Sequence, residues 1–224
     1  MSLLRKLAAE LLGTMLLLSC VVGSGIMGTQ LSQGNDAIAL LANAGATAGI
    51  LYLLITVLGP VSGAHFNPAV TLVMRLRGDL GTKESASYVA AQLIGAMAGV
   101  MLAHAMFDQH LVQIGTRVRT GPAQWLSEGI ATFGLVLTIV LGLRFRQSAI
   151  PALVASYIFA AYWFTASTSF ANPAVTVARA LTKSFAGIRP DDVLAFVAAQ
   201  CAGALLAWVA SSLLLDSETR RETV

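Results

Sequence analysis

Asn67-Pro68-Ala69-Val70-Thr71 recurs letter for letter as Asn172-Pro173-Ala174-Val175-Thr176, 105 positions later. Asn is among the best N-cap residues and Pro is favoured at the first helical position, so each copy opens a helix. The first helix is expected over about Pro68 to Arg77, with Gly78 as its stop; Gly187 is the matching stop for the second. At 1.5 Å per residue the first would be about 15 Å long, half the hydrocarbon thickness of a bilayer. Such a helix cannot span. The irregular stretch that leads into it, Ser62-Gly63-Ala64-His65-Phe66, is tolerated at membrane depth only where it lines a wet cavity or is buried in protein. Two such half-helices, entering from opposite faces with their N-termini meeting near the midplane, would leave a polar path through an apolar bundle.

The rest of the chain is suited to a membrane. Its 224 residues carry 14 basic and 11 acidic side chains, a net charge of +3, and are 56% hydrophobic and 11% charged. A soluble domain carries about 25% charged residues, so this composition excludes one. It also excludes disorder and a nucleic-acid partner, because the net charge is small and the charges sit at the edges of apolar runs. Charge-poor stretches run over residues 7–27, 37–58, 86–107, 125–143, 150–165 and 193–215. Runs of about 20 residues fit membrane helices, whereas barrel strands need about 10 with alternating polarity, which is absent. The first run lacks a small-residue cleavage site and reads as a retained span. The expected fold is an all-α membrane protein: six transmembrane helices plus two re-entrant half-helices.

Two further markers repeat in the same order. Val89-Ala90-Ala91-Gln92 returns as Val197-Ala198-Ala199-Gln200, and Glu10-Leu11-Leu12-Gly13-Thr14 is echoed by Glu128-Gly129-Ile130-Ala131-Thr132. Each half holds three spans, so the halves, about 5–107 and 123–215, form an inverted repeat within one channel domain of residues 1–224. Six spans put both ends on one side. Arg5, Lys6, Arg75, Arg77, Lys83, Arg144, Arg146, Arg220 and Arg221 lie there, against Arg117, Arg119, Arg179, Lys183 and Arg189 opposite. Nine against five places both termini in the cytoplasm of a multi-pass protein of the inner (plasma) membrane.

The paired Asn-Pro-Ala boxes, the membrane acids Glu10 and Glu128, and Ser62-Gly63-Ala64-His65-Phe66-Asn67-Pro68-Ala69-Val70 resemble the aquaporin and aquaglyceroporin superfamily over nearly the whole chain. The resemblance implies a homotetramer with one pore per subunit. It also implies Asn67, Pro68, Ala69, Asn172, Pro173 and Ala174 at the pore centre. Each half-helix N-terminus carries about +0.5 elementary charge, so two facing ones repel cations. Each Asn can cap its helix through oxygen and present amide hydrogens to the pore. A water accepting from both points its own hydrogens away, which breaks proton hopping. Alternatively, both Asn merely cap buried helices.

Departures from the family pattern bear on the solute. An Arg usually lies three residues after the second Asn; here that position is Val175. Water-selective members mostly place an aromatic twenty before the first Asn; here it is Thr47. A third filter position, twelve before the second Asn, gives Ala160, with Ala161 or Tyr162 as rivals, because residues 165–171 do not align cleanly. The fourth gives Ser169, with Phe170 as its rival. Such a filter is wider and less charged than a strict water pore and resembles a bacterial arsenical-permeable subgroup. That implies passage of water, glycerol-like polyols and metalloid hydroxides such as arsenous acid, with protons and ions excluded. Arg179, one turn beyond Val175, is either an outer-vestibule charge that rebuilds the constriction, as in a strict water channel, or a solvated helix end.

Glu10 and Glu128 are expected to brace the re-entrant loops through backbone N–H groups, with a proton relay as the alternative. His65 is expected to line the cytoplasmic half of the pore, with a pH gate as its sharper reading. His104 and His110 have no evident partner. Gly45-x-x-x-Gly49 and Gly95-x-x-x-Gly99 fit close helix packing. Cys20 and Cys201 read as apolar fillers, and no metal or cofactor site is expected. No nucleophile–base pair or phosphate loop supports an enzyme. A proton-coupled transporter would need titratable groups along its route, and only Glu10 and Glu128 qualify. A closed adhesive relative is the remaining class.

Overall fold

The computed structural model describes residues 1–219; Arg220 and Arg221, counted above on the cytoplasmic side, lie outside the described residues. Eight α-helices follow one another: α1 (Leu3–Leu31), α2 (Asp36–Ser62), α3 (Pro68–Leu76), α4 (Thr82–Met106), α5 (Pro122–Phe145), α6 (Ile150–Phe164), α7 (Pro173–Arg179) and α8 (Pro190–Thr219). Without water to satisfy backbone groups in a bilayer, helices that pair every N–H internally are the economical form for such sequences. Hydroxyls on these helices bond back one turn, as Thr14 to the Glu10 carbonyl and Thr29 to that of Gly25, so they cost little in apolar surroundings. Asn35 caps α2 by accepting from the N–H groups of Ala37 and Ile38.

Among the described residues, five helices are long and apolar enough to cross a membrane. The fifth expected span, read as residues 150–165, is the short one. α6 has 15 residues, about 22 Å of helix against the roughly 30 Å of a hydrocarbon core. A 3₁₀ turn, Gln147–Ala149, precedes it, and Thr165 leaves it in extended backbone to begin the segment leading to Asn172. The crossing is therefore shared between helix and re-entrant loop.

The packing repeats across the two halves. α1 lies along α4 as α5 lies along α8, and α2 packs on α1 as α6 packs on α5. α2 and α6 meet between the halves. Each short helix crosses over: α3 touches α8, and α7 touches α4. Glycines permit the closest approaches. A Cβ on Gly95 or Gly99 would overlap the carbonyl oxygens of Leu11 or Met15, and one on Gly203 would overlap that of Gly129. Gly45 and Gly49 differ from expectation, with nothing within 4 Å of where their side chains would be. The stops also differ. Gly78 ends α3 in the left-handed region at φ 88°, but α7 ends at Arg179, eight residues before Gly187. Gly187 instead lies against the Thr182 carbonyl, where a Cβ would not fit.

Candidate functional site: a cavity between two capped half-helices

Asn67 and Asn172 are both buried and sit at the N-caps of α3 and α7. The Asn67 Oδ1 accepts from the Ala69 N–H at 2.9 Å; the Asn172 Oδ1 accepts from Ala174 and Val175 at 3.0 and 3.3 Å. With each oxygen turned to its own helix, the amide nitrogens face the opposite half. Asn67 Nδ2 donates to the Ala171 carbonyl, and Asn172 Nδ2 donates to the Phe66 carbonyl, each at 2.8 Å. Each box thus ties to the residue that precedes its twin. One hydrogen of each amide remains for the cavity, since a primary amide carries two.

The backbone before each box is strained in matching places. Ala64 and Phe66 have φ of 51° and 49°; Ser169 and Ala171 have 49° and 48°. A residue with a Cβ in this region costs roughly 1–2 kcal/mol. Carboxylates hold the segments. Glu10 accepts from the N–H groups of His65 (3.0 Å) and Phe66 (2.7 Å) and from the Ser62 hydroxyl (2.6 Å). Glu128 accepts from the N–H groups of Phe170 and Ala171, both at 2.9 Å. Bonds to a charged acceptor contribute roughly 1.5–3 kcal/mol each, enough to offset the backbone strain. Behind each acid stands a glutamine. Gln92 Nε2 donates to Glu10 and to Thr71 Oγ1, and Gln200 Nε2 donates to Glu128 and to Thr176 Oγ1. These glutamines and threonines were not named as site residues, although both belong to repeated words of the sequence.

A cavity of about 270 Å³ runs past both Asn, from the C-terminal ends of α3 and α5 to the C-terminal end of α7. His65 lines it; its Nδ1 is 3.1 Å from Thr71 Oγ1 and its ring meets Tyr88 edge-on. Neither Glu10 nor Glu128 is among the lining residues. Toward the far end stand Thr47, Tyr162, Ser169, Phe170, Val175 and Arg179. The hydroxyls of Thr47 and Tyr162 pair at 3.2 Å. The Ser169 hydroxyl is buried with no partner of its own. Arg179 is 1% exposed, so it is no solvated helix end. Its Nε donates to the Ala186 carbonyl and its guanidinium carbon lies 3.4 Å from the Phe170 ring centroid.

The family model described as Major intrinsic protein matches residues 1–165. The chain is also 58% identical over 212 residues to the aquaglyceroporin AqpS of Rhizobium meliloti (strain 1021), across 92% of this chain and 91% of that one. The chain belongs to the major intrinsic protein family. The glycerol uptake facilitator protein of Bacillus subtilis (strain 168) is 37% identical over 117 residues, covering 46% of this chain and 42% of its own. Among solved structures, the aquaglyceroporin from Plasmodium falciparum has a TM-score of 0.73 at 20% identity, covering 92% of this chain and 94% of that one. That likeness speaks for the fold alone: inverted halves with two re-entrant half-helices. As a major intrinsic protein the chain is a multi-pass membrane channel protein and not an enzyme.

The stretch matched by the family model ends at residue 165, and the Arg179 end of the cavity is built mostly beyond it. There one expected position fails. Ala160 is exposed on the outside of α6 and lines no part of the cavity; Tyr162, two residues on, is buried and lines it. Two residues turn a helix by about 200°, so this register shift exchanges the outer face for the inner one. Ser169 and its rival Phe170 both line the cavity, because the left-handed turn at Ser169 brings consecutive residues to it. Arg119, counted in the sequence only among the loop charges, was missed as a site residue. It lies in the loop between α4 and α5 and is 5% exposed. It donates through Nε to the Gly187 carbonyl and through Nη1 to the Ser167 carbonyl, both at 2.9 Å. Burial, with Arg179 and Arg117 adding to it, pushes its guanidinium well below the usual arginine range, and Glu128 opposes that shift. No local signal marks such a residue, since its partners lie 48 and 68 positions away. His104, without a partner by sequence, is fully buried and joins Leu111 to Thr182.

Proposed function

We propose that the chain is a passive channel, one domain over its whole length, for water and neutral hydroxylated solutes of glycerol size, arsenous acid among them. The carrying observation is the reciprocal Asn67–Asn172 arrangement on one continuous cavity. A solute at the centre accepts from the free hydrogen of each amide, and the facing helix N-termini repel cations. Water held this way cannot relay a proton. The names of AqpS and the Bacillus protein support polyol passage.

Thr47, Tyr162, Ser169 and Val175 form the selectivity filter, with Phe170 beside it. An apolar Val175 and an unpaired Ser169 hydroxyl favour solutes that bring their own hydroxyls over bare ions. Arg179 supports a second reading, a strict water pore, because its buried guanidinium lines the cavity one turn beyond Val175. Proton-coupled transport is disfavoured, since both buried acids are occupied by backbone N–H groups away from the cavity. The channel assembles as a homotetramer in the inner membrane with cytoplasmic termini. The exposed apolar face of α2, with Leu41, Tyr52 and Leu53 around Gly45 and Gly49, suits a neighbouring subunit or lipid.

Stopped-flow light scattering on proteoliposomes separates the readings. Glycerol and arsenous acid should cross well above the rate of protein-free vesicles. Val175→Arg should cut their flux by about tenfold while sparing water, the effect of narrowing a neutral throat with a charge. Water flux without glycerol flux in the native chain would establish the strict water pore instead.

A further inference from the structure

Both guanidiniums at the outer mouth bear on one ring. The Arg179 Cζ is 3.4 Å and the Arg119 Cζ 4.8 Å from the Phe170 centroid, and Phe196 meets the same ring edge-on at 5.3 Å. Arg179 comes from the half-helix, whereas Arg119 comes from a loop that crosses the mouth. That loop is fastened at several points. Gly115 N–H donates to the Ala180 carbonyl, Arg189 N–H to that of Arg117, and Arg119 N–H to Asp192 Oδ2, each at 2.8 Å. The Arg119 side chain has no carboxylate; its fork donates to the Gly187 and Ser167 carbonyls on either side of the re-entrant segment. A buried charge without a counter-ion is costly, and an apolar side chain of similar volume would fill the space more cheaply. The ring it contacts lines the cavity, while Arg119 does not.

We propose that Arg119 is a positioning residue for solute selection: from the α4–α5 loop it clamps the Phe170 ring against Arg179 and so sets the width of the mouth. With Val175 where an Arg could have stood, the constriction is held by a loop residue acting through an aromatic wall. This rests on the channel reading above.

The experiment measures glycerol and xylitol permeability in proteoliposomes for the native chain, Arg119→Ala, Phe170→Ala and the double variant. Arg119→Ala should raise the xylitol-to-glycerol ratio by about threefold or more, threefold being the low end of what a cation–π contact contributes. Phe170→Ala should raise it as much, and Arg119→Ala should add nothing further in that background, since paired residues act as a unit. A merely structural role would slow both solutes together and leave the ratio alone. Should Arg119→Ala not fold, Arg119→Gln keeps an amide donor group, loses the charge, and should raise the ratio in the same way. An unchanged ratio in the folded variants, or full additivity with Phe170→Ala, overturns the proposal while the channel reading stands. A native chain that passes neither solute overturns both.

Discussion

At the scale of single residues, the most informative pair is Glu10 and Glu128. Each spans a re-entrant segment and holds left-handed residues in place through two backbone N–H bonds. A glutamine at either position keeps one acceptor oxygen and loses the charge. Glu128→Gln is expected to destabilise the fold by about 2 kcal/mol or more, read as a lower melting temperature in detergent. A melting curve unchanged from the native protein would mean that the loop holds itself. Sequence alone located these acids, because their echo in the two halves is local and in order. It placed Asn67 and Asn172 for the same reason: a cap is a property of its immediate neighbours. Ala160 was misplaced because its assignment counted back through residues 165–171, where five of the seven backbone positions depart from regular structure by turn or left-handed φ. The role of Arg119 left no trace, since the groups its side chain donates to are distant along the chain.

At the scale of elements, glycine decides which helices approach and which stay apart. Gly99 sits where α1 passes α4, with the Met15 carbonyl in the place of a side chain. Gly45 faces open space on α2. The same substitution should therefore have opposite effects. Gly99→Ala is expected to cost roughly 1–3 kcal/mol through overpacking. Gly45→Ala is expected to be neutral or to stabilise by up to about 1 kcal/mol, as alanine outranks glycine within a helix. Thermal unfolding of the two variants side by side makes the comparison, and equal losses would contradict the packing described here. A G-x-x-x-G spelling could not tell these sites apart, because it records spacing and not what lies opposite. Helix lengths were similarly half-legible. Apolar runs marked all five long helices and the shorter α6, but the end of α7 at Arg179, well before Gly187, depends on a loop that folds back into the bundle.

At the scale of the molecule, a passive pore can only equalise concentrations. A pH gradient across proteoliposomes is expected to leave internal glycerol at the external level, measured with a labelled solute at steady state. Accumulation above that level would call for energy coupling, and the one carboxylate among the cavity's described lining residues, Asp79, is paired with Arg77 at its exposed end. The cross-over of the short helices has a consequence for biosynthesis. The Asn67 amide donates to Ala171, and α3 leans on α8, so the amino-terminal half leaves the ribosome with its central polar groups unanswered. Until the carboxy-terminal half is translated, those groups must borrow partners from water, lipid headgroups or the insertion machinery. The aperture comes into being only when the last helix closes against the first half, so a nascent chain arrested midway cannot leak.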